Sequence, residues 1–163
     1  MDERTAAAEE SIWDYPRHPR VEPSHRHVLV ALEGVELAAT YRARRVLEFG
    51  RPPVYYIPRA DVRMDHLRLT ERRTWCVCRG VARYYDVEVG DAIAVQAAWS
   101  YPHPTPSLNE IKGYLAFYPD RVDSCFVDGE RVRAIEGSYF GGWITQEILG
   151  PFDFEPPSED VEL

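Results

Sequence analysis

Between Pro53 and Pro102 the chain runs PVYYIPRADVRMD (53–65), TWCVCRG (74–80), ARYYDVEVGD (82–91) and AAWSYP (97–102), and this stretch decides the fold. Its β-branched and aromatic residues come in short runs, and glycine, proline or charged pairs separate them. That is the pattern of consecutive strands joined by tight turns. Val54 to Ile57 reads as a short strand ended by Pro58. Arg59 to Arg63 reads as one helical turn. His66 to Thr70 follows as a strand, Glu71-Arg72-Arg73 as a charged turn, and Thr74 to Arg79 and Val81 to Val89 as strands hinged at Gly80. Gly90-Asp91 turns the chain into a long apolar strand, Ala92 to Tyr101.

Outward from this centre the same reading continues. His27 to Leu32 and Val35 to Thr40 flank Glu33-Gly34, a two-residue hairpin signal. Arg121 to Val127 and Glu130 to Arg133 flank Asp128-Gly129 in the same way. Tyr41 to Gly50 fits a third extended segment. One helix is expected, over 107–116: Ser107 and Glu110 have capping-box spacing, and Leu108, Ile111 and Leu115 recur at helical intervals. Pro16, Pro19 and Pro23 forbid a helix or a central strand near the N-terminus, so 11–26 reads as an extended arm that buries Trp13 or Tyr15. The expected organisation is a loose N-terminus (1–10), the arm (11–26), a β-rich domain (27–133), a C-terminal extension packed on it (134–152) and an acidic disordered tail (153–163).

Composition bounds the function. A chain of 163 residues with 45% apolar residues supports one ordinary core. A net charge of −8 opposes a phosphate backbone, so nucleic acid is not an expected partner. Nothing approaches the ~20 apolar residues of a membrane span, and no leader precedes a cleavage site. These features lead us to expect a soluble, reduced, cytoplasmic protein. Lys112 is the only lysine among many arginines, as a GC-rich, bacterial-type genome produces.

The candidate chemistry lies in the same central stretch. Neighbouring side chains on a strand face opposite ways, so Tyr55-Tyr56 and Tyr84-Tyr85 cannot all enter a one-sided core. Tyr56, Trp75, Trp99 and Tyr101 are therefore candidate walls of a cleft, with Arg79 and Arg63 as anchors for a carboxylate or phosphate. Each ring could equally be core, and each arginine could equally close a salt bridge. Cys76 beside Arg79 is a candidate nucleophilic or redox thiol, and a buried strand cysteine otherwise. A metal would need about four ligands; Cys76-x-Cys78 is not the usual knuckle, and Cys125 with His66 or His103 would have to complete it. No metal or cofactor is expected. Asp65, Arg121 and Asp123 are further polar candidates, and Asp61 is an acid/base candidate with no spacing argument linking it to Asp65. His103, in a proline loop, is a candidate proton carrier or a solvent-facing histidine. Ser100 lacks a nucleophile-elbow context, and Gly141-Gly142 is a turn rather than a phosphate loop.

Taken together, RVLEFGRPPVYYIPRADVRMD (45–65), TWCVCRGVARYYDV (74–87), AAWSYPHPTP (97–106) and AFYPDRVDSCFVDGERV (116–132) resemble the family called Domain of Unknown Function 427. The arm SIWDYPRHPRVEP (11–23) and YFGGWITQEILGPF (139–152) are similar to extensions of its longer members. The resemblance implies a mainly β, β-tent-like fold, in which two small antiparallel sheets meet at an angle. Relatives of that architecture include methionine sulfoxide reductases and the drug-binding domain of cereblon. Many of them hold a structural zinc on two Cys-x-x-Cys pairs, which this chain lacks. Cys78 stands where the family more often has an aromatic or polar residue, and Ala60 where an acidic one is frequent. The resulting expectation is a small-molecule-binding domain, or an uncharacterised enzyme, with an aromatic cleft and an Arg anchor. A thiol-dependent enzyme centred on Cys76 and a non-catalytic protein-interaction module are the alternatives. The partner is an unidentified small molecule, and a homodimer is a further arrangement to test.

Overall fold

The computed structural model describes residues 7–152 and 158–163. The strands in chain order are β1 (Glu10–Ser11), β2 (Arg20–Pro23), β3 (Val28–Leu32), β4 (Val35–Thr40), β5 (Arg44–Leu47), β6 (Val54–Tyr56) and β7 (Leu67–Cys76). They continue with β8 (Gly80–Val89), β9 (Ala92–Pro104), β10 (Leu115–Phe117), β11 (Ser124–Val127), β12 (Glu130–Arg131), β13 (Ile148–Leu149) and β14 (Val161–Glu162). The architecture is mainly β, as expected. A five-stranded sheet (β10-β9-β8-β7-β14) and a four-stranded one (β12-β11-β3-β4) accompany a three-stranded sheet (β2-β5-β6) and the short parallel pair β1-β13.

Where β8, β9 and β10 carry these rings, the five-stranded sheet is covered on both faces, and this resolves the paired tyrosines. Tyr85, Val87, Ala98, Leu115 and Phe117 pack with Val28, Val30, Leu37 and Val127 of the four-stranded sheet. Tyr84, Trp99, Tyr101 and Ala116 pack on the opposite side with Val46 and Tyr56. Tyr55 and Tyr56 divide between the same two cores. The second tyrosine of each pair therefore faces another core, because the sheet is covered on both sides.

Several local expectations change. Residues 71–73 are not a turn: β7 runs unbroken from Leu67 to Cys76, with a register irregularity between Leu69 and Arg73 that absorbs the charged run. The turn falls instead at 77–79, so Cys78 lies in the turn while Cys76 ends the strand. Gly80 then re-enters the sheet at φ +97°, where an added Cβ would lie 3.1 Å from the His103 carbonyl oxygen. β9 reaches past Tyr101 through Pro102 and Pro104, and His103 sits on it opposite Val81. The prolines are tolerated because β10 pairs only as far as Ser100, which leaves that edge of β9 without ladder bonds to lose.

The helical segment is a 3-10 helix, Pro106–Ile111, with Leu108 off helical geometry; it is shorter than 107–116. Leu108 and Ile111 are both fully buried, and their three-residue spacing suits a 3-10 turn as well as an α-helix. Gly113, at φ +75°, then releases the chain into β10. The second helical turn forms as a 3-10 turn, Arg59–Asp61. In the arm, β2 contains Pro23 but lies at the edge of its sheet, where proline costs no ladder bond. Of the segments expected to be loose, 1–6 and 153–157 lie outside the described residues. Residues 158–163 are not disordered: β14 pairs antiparallel with β7, Val161 opposite Trp75. Among the described residues, no helix is long and apolar enough to cross a membrane.

The segment after β12 is fastened by charge as well as by packing. Arg26 donates to the carboxylates of Asp128, at 2.9 Å, and Glu147. Burial opposes the charge on Glu147, but its hydrogen bonds, including that from Arg26, outweigh burial and hold its pKa below the ordinary glutamate value. A depressed folded-state pKa stabilises the fold above the unfolded value, and the stabilisation is lost as pH falls through the folded value. Urea midpoints should therefore fall on acidification below about pH 4.5, and Glu147→Gln should flatten that fall. Equal acid sensitivity in the variant would remove Glu147 from the account.

Candidate functional site

Tyr56 on β6, Tyr84 on β8 and Trp99 and Tyr101 on β9 converge because each lies on the same face of its strand as the second core. They surround a cavity of about 30 Å³, room for about one water, together with Arg79 and Glu48. The rings are tied to one another. Trp99 Nε1 donates to the Tyr56 hydroxyl at 3.3 Å, and Tyr84 and Thr74 share a hydroxyl hydrogen bond at 2.8 Å. Burial, against a smaller opposing effect of Arg79, pushes the Tyr56 phenol up to about 12 and raises Tyr101 as well. Both are thus neutral hydrogen-bonding groups at ordinary pH. Arg79 is held between Glu48 and these phenols. Burial disfavours its charge, but the neighbouring Tyr101 and Glu48 outweigh that and raise its pKa. Glu48 also bonds Arg51 at 2.7 Å, and Arg51 lies 3.5 Å over the Phe140 ring.

Four residues singled out from sequence thus meet here: Tyr56, Trp99, Tyr101 and Arg79. Trp75 does not join them. On β7 it pairs with Val81, while Thr74 pairs with Ala82, so strand alternation sends Trp75 to the other face, 43% exposed. Arg63 is largely exposed and lies 3.7 Å from Asp65. Asp61 accepts from Thr40 Oγ1 at 2.7 Å and from Arg42, a structural pairing at the β4 end. His103 is exposed, but on a strand rather than in a loop. Cys76 is buried, with Arg79 Nη1 3.5 Å from its sulfur. Desolvation, and then the neighbouring Cys76, raise the pKa of Cys78.

Sequence reasoning did not assemble the outer half of the site. The small cavity shares Tyr84, Tyr118, Tyr139 and Asp160 with a hollow of about 420 Å³ that also takes in Arg72 and Arg121. Two guanidinium groups lie over rings here, Arg72 at 4.2 Å from the Tyr84 centroid and Arg121 at 3.9 Å from Tyr118. The tail lies across the same hollow. Glu162 takes a two-pronged bond from Arg72, at 3.0 and 2.6 Å, and Asp160 lines both spaces. Arg121 is a polar candidate from sequence, but nothing there joins it to Tyr84, and Arg72 lies in the charged run 71–73, which reads as a turn. Chemically, cations on ring faces beside neutral phenols can bind a flat or apolar body that carries an acidic group.

The model of the family described as a domain of unknown function (DUF427) matches residues 20–128. No curated protein matches the chain.

Proposed function

The chain belongs to the DUF427 family, and we propose that it binds a small anionic molecule in the hollow bounded by Tyr84, Tyr118, Tyr139, Arg72 and Arg121. The ligand's acidic group pairs with Arg72 and Arg121, and its apolar part lies on the tyrosines. The inner group of Tyr56, Trp99, Tyr101 and Arg79 forms the floor. One observation carries this reading: an acidic strand of the chain itself already lies there, with Glu162 bonded twice to Arg72. The hollow also falls within the size range of small-molecule sites. The buried Cys76 favours the thiol-dependent alternative less.

A tail that fills the site competes with its ligand, so apparent affinity falls by the fraction of protein with the site free. A thermal-shift screen of aromatic carboxylates and nucleoside monophosphates should give larger shifts on a chain ending at residue 157 than on the full chain. Arg121→Gln should weaken every hit. Hits with equal shifts in both chains that persist in Arg121→Gln would place binding elsewhere, and no hit on the shortened chain would end the proposal.

A further inference from the structure

The hairpin turn at 77–79 brings together three metal-binding side chains that the ligand site does not use. Cys76 closes β7, Cys78 lies in the turn, and Glu159 arrives from the tail just before β14. One ligand atom from each, two sulfurs and a carboxylate oxygen, lie within 4.8 Å of one another. The grouping is not an accident of local sequence, because strand pairing of Val161 with Trp75 carries Glu159 to the cysteines. Cys125 and His66 lie apart from this group. Cys125 is buried in the core between the two larger sheets, and the His66 ring bonds the Glu88 carbonyl at 2.8 Å.

We propose that Cys76, Cys78 and Glu159 form a binding site for a zinc-type divalent cation. Two thiolates at about 2.3 Å from a tetrahedral ion stand roughly 3.8 Å apart, so the three donors need close by no more than about 1 Å. Soft sulfur donors select zinc over magnesium or calcium, which take oxygen. Three protein donors leave the fourth position open to water or another ligand. Arg79 Nη1, 3.5 Å from the Cys76 sulfur, donates toward a ligating atom and offsets the net negative charge of two thiolates, one carboxylate and a dication. The ion joins the tail to the β7–β8 hairpin. This site stands independently of the small-molecule reading.

The test uses the full chain under a thiol-free reductant, which excludes a Cys76–Cys78 disulfide, with cobalt(II) as the spectroscopic probe and zinc as competitor. One equivalent of cobalt should give thiolate-to-metal absorption and tetrahedral visible bands, and zinc should erase them. Cys78→Ser should roughly halve the thiolate absorption and weaken binding at least about tenfold. Glu159→Gln should keep the absorption and weaken binding by a similar factor, and Cys125→Ser should change neither. Cys78 lies in a turn and Glu159 is exposed, so both variants should keep the far-ultraviolet spectrum of the parent. Absence of the thiolate band in the reduced parent overturns the proposal. So does a band lost in Cys125→Ser, or an unchanged affinity in Glu159→Gln.

Discussion

Trp143→Ala is expected to lower the unfolding free energy by about 3–5 kcal/mol, enough to unfold much of a marginally stable domain. Trp143 is 1% exposed and is the largest of the fully buried side chains. Its ring stacks on Tyr55 with centroids 4.9 Å apart, and its Nε1 donates to the Phe117 carbonyl at 3.1 Å. Truncation leaves a cavity among Tyr55, Phe117 and their neighbours and orphans a buried acceptor, and these two costs add. Trp143→Phe keeps most of the packing and loses the donor, so about 1–3 kcal/mol is expected. Urea denaturation of the three proteins measures both. A Trp143→Ala cost below about 1 kcal/mol would mean that the segment after β12 is an accessory. The matched segment, 20–128, ends before this residue. A chain cut to that segment should therefore lack fixed near-ultraviolet signals.

Arg45→Ala should cost about 2–3 kcal/mol by a different route, the loss of two charge-assisted hydrogen bonds. Arg45 on β5 is buried, and its two terminal nitrogens bond Glu10 on β1 at 2.6 Å and Glu22 on β2 at 2.5 Å. One guanidinium thus links three strands, two of them from the segment that precedes β3. Burial works against its charge, but the bonds to Glu10 and Glu22 outweigh that and raise its pKa. Removing the cation takes this partner from Glu10 and leaves Glu22 with its longer contact to Arg20, at 3.8 Å. Removing one carboxylate is milder. Arg45 then keeps Glu10, and the glutamine amide oxygen can still accept from it where the side chain is 39% exposed, so Glu22→Gln should cost at most about 1 kcal/mol. A double-mutant cycle on urea midpoints reads the coupling. If Arg45→Ala costs no more than Glu22→Gln, the arm is held by Ile12 and its apolar neighbours rather than by this ion pair.

The sequence alone carried the mainly β class, the hairpins at Glu33-Gly34 and Asp128-Gly129 and the family. These are signals of residue type and period two, which neighbouring residues generate without reference to the rest of the chain. It also carried the inner site, because Tyr56, Trp99 and Tyr101 had to face something and Arg79 lay close by. Tertiary structure decided what depended on distance along the chain. Whether a second layer covers the central sheet determined where Tyr84 and Tyr85 went. Strand register excluded Trp75, since a shift of one residue reverses every side chain. The acidic tail read as loose because its composition is polar, yet β7 offered it an open edge and Arg72 a counter-charge. Glu159 stands 81 positions beyond Cys78 in the chain, and spacing rules for metal ligands do not reach that far. Only the pairing of β14 with β7 brings them side by side.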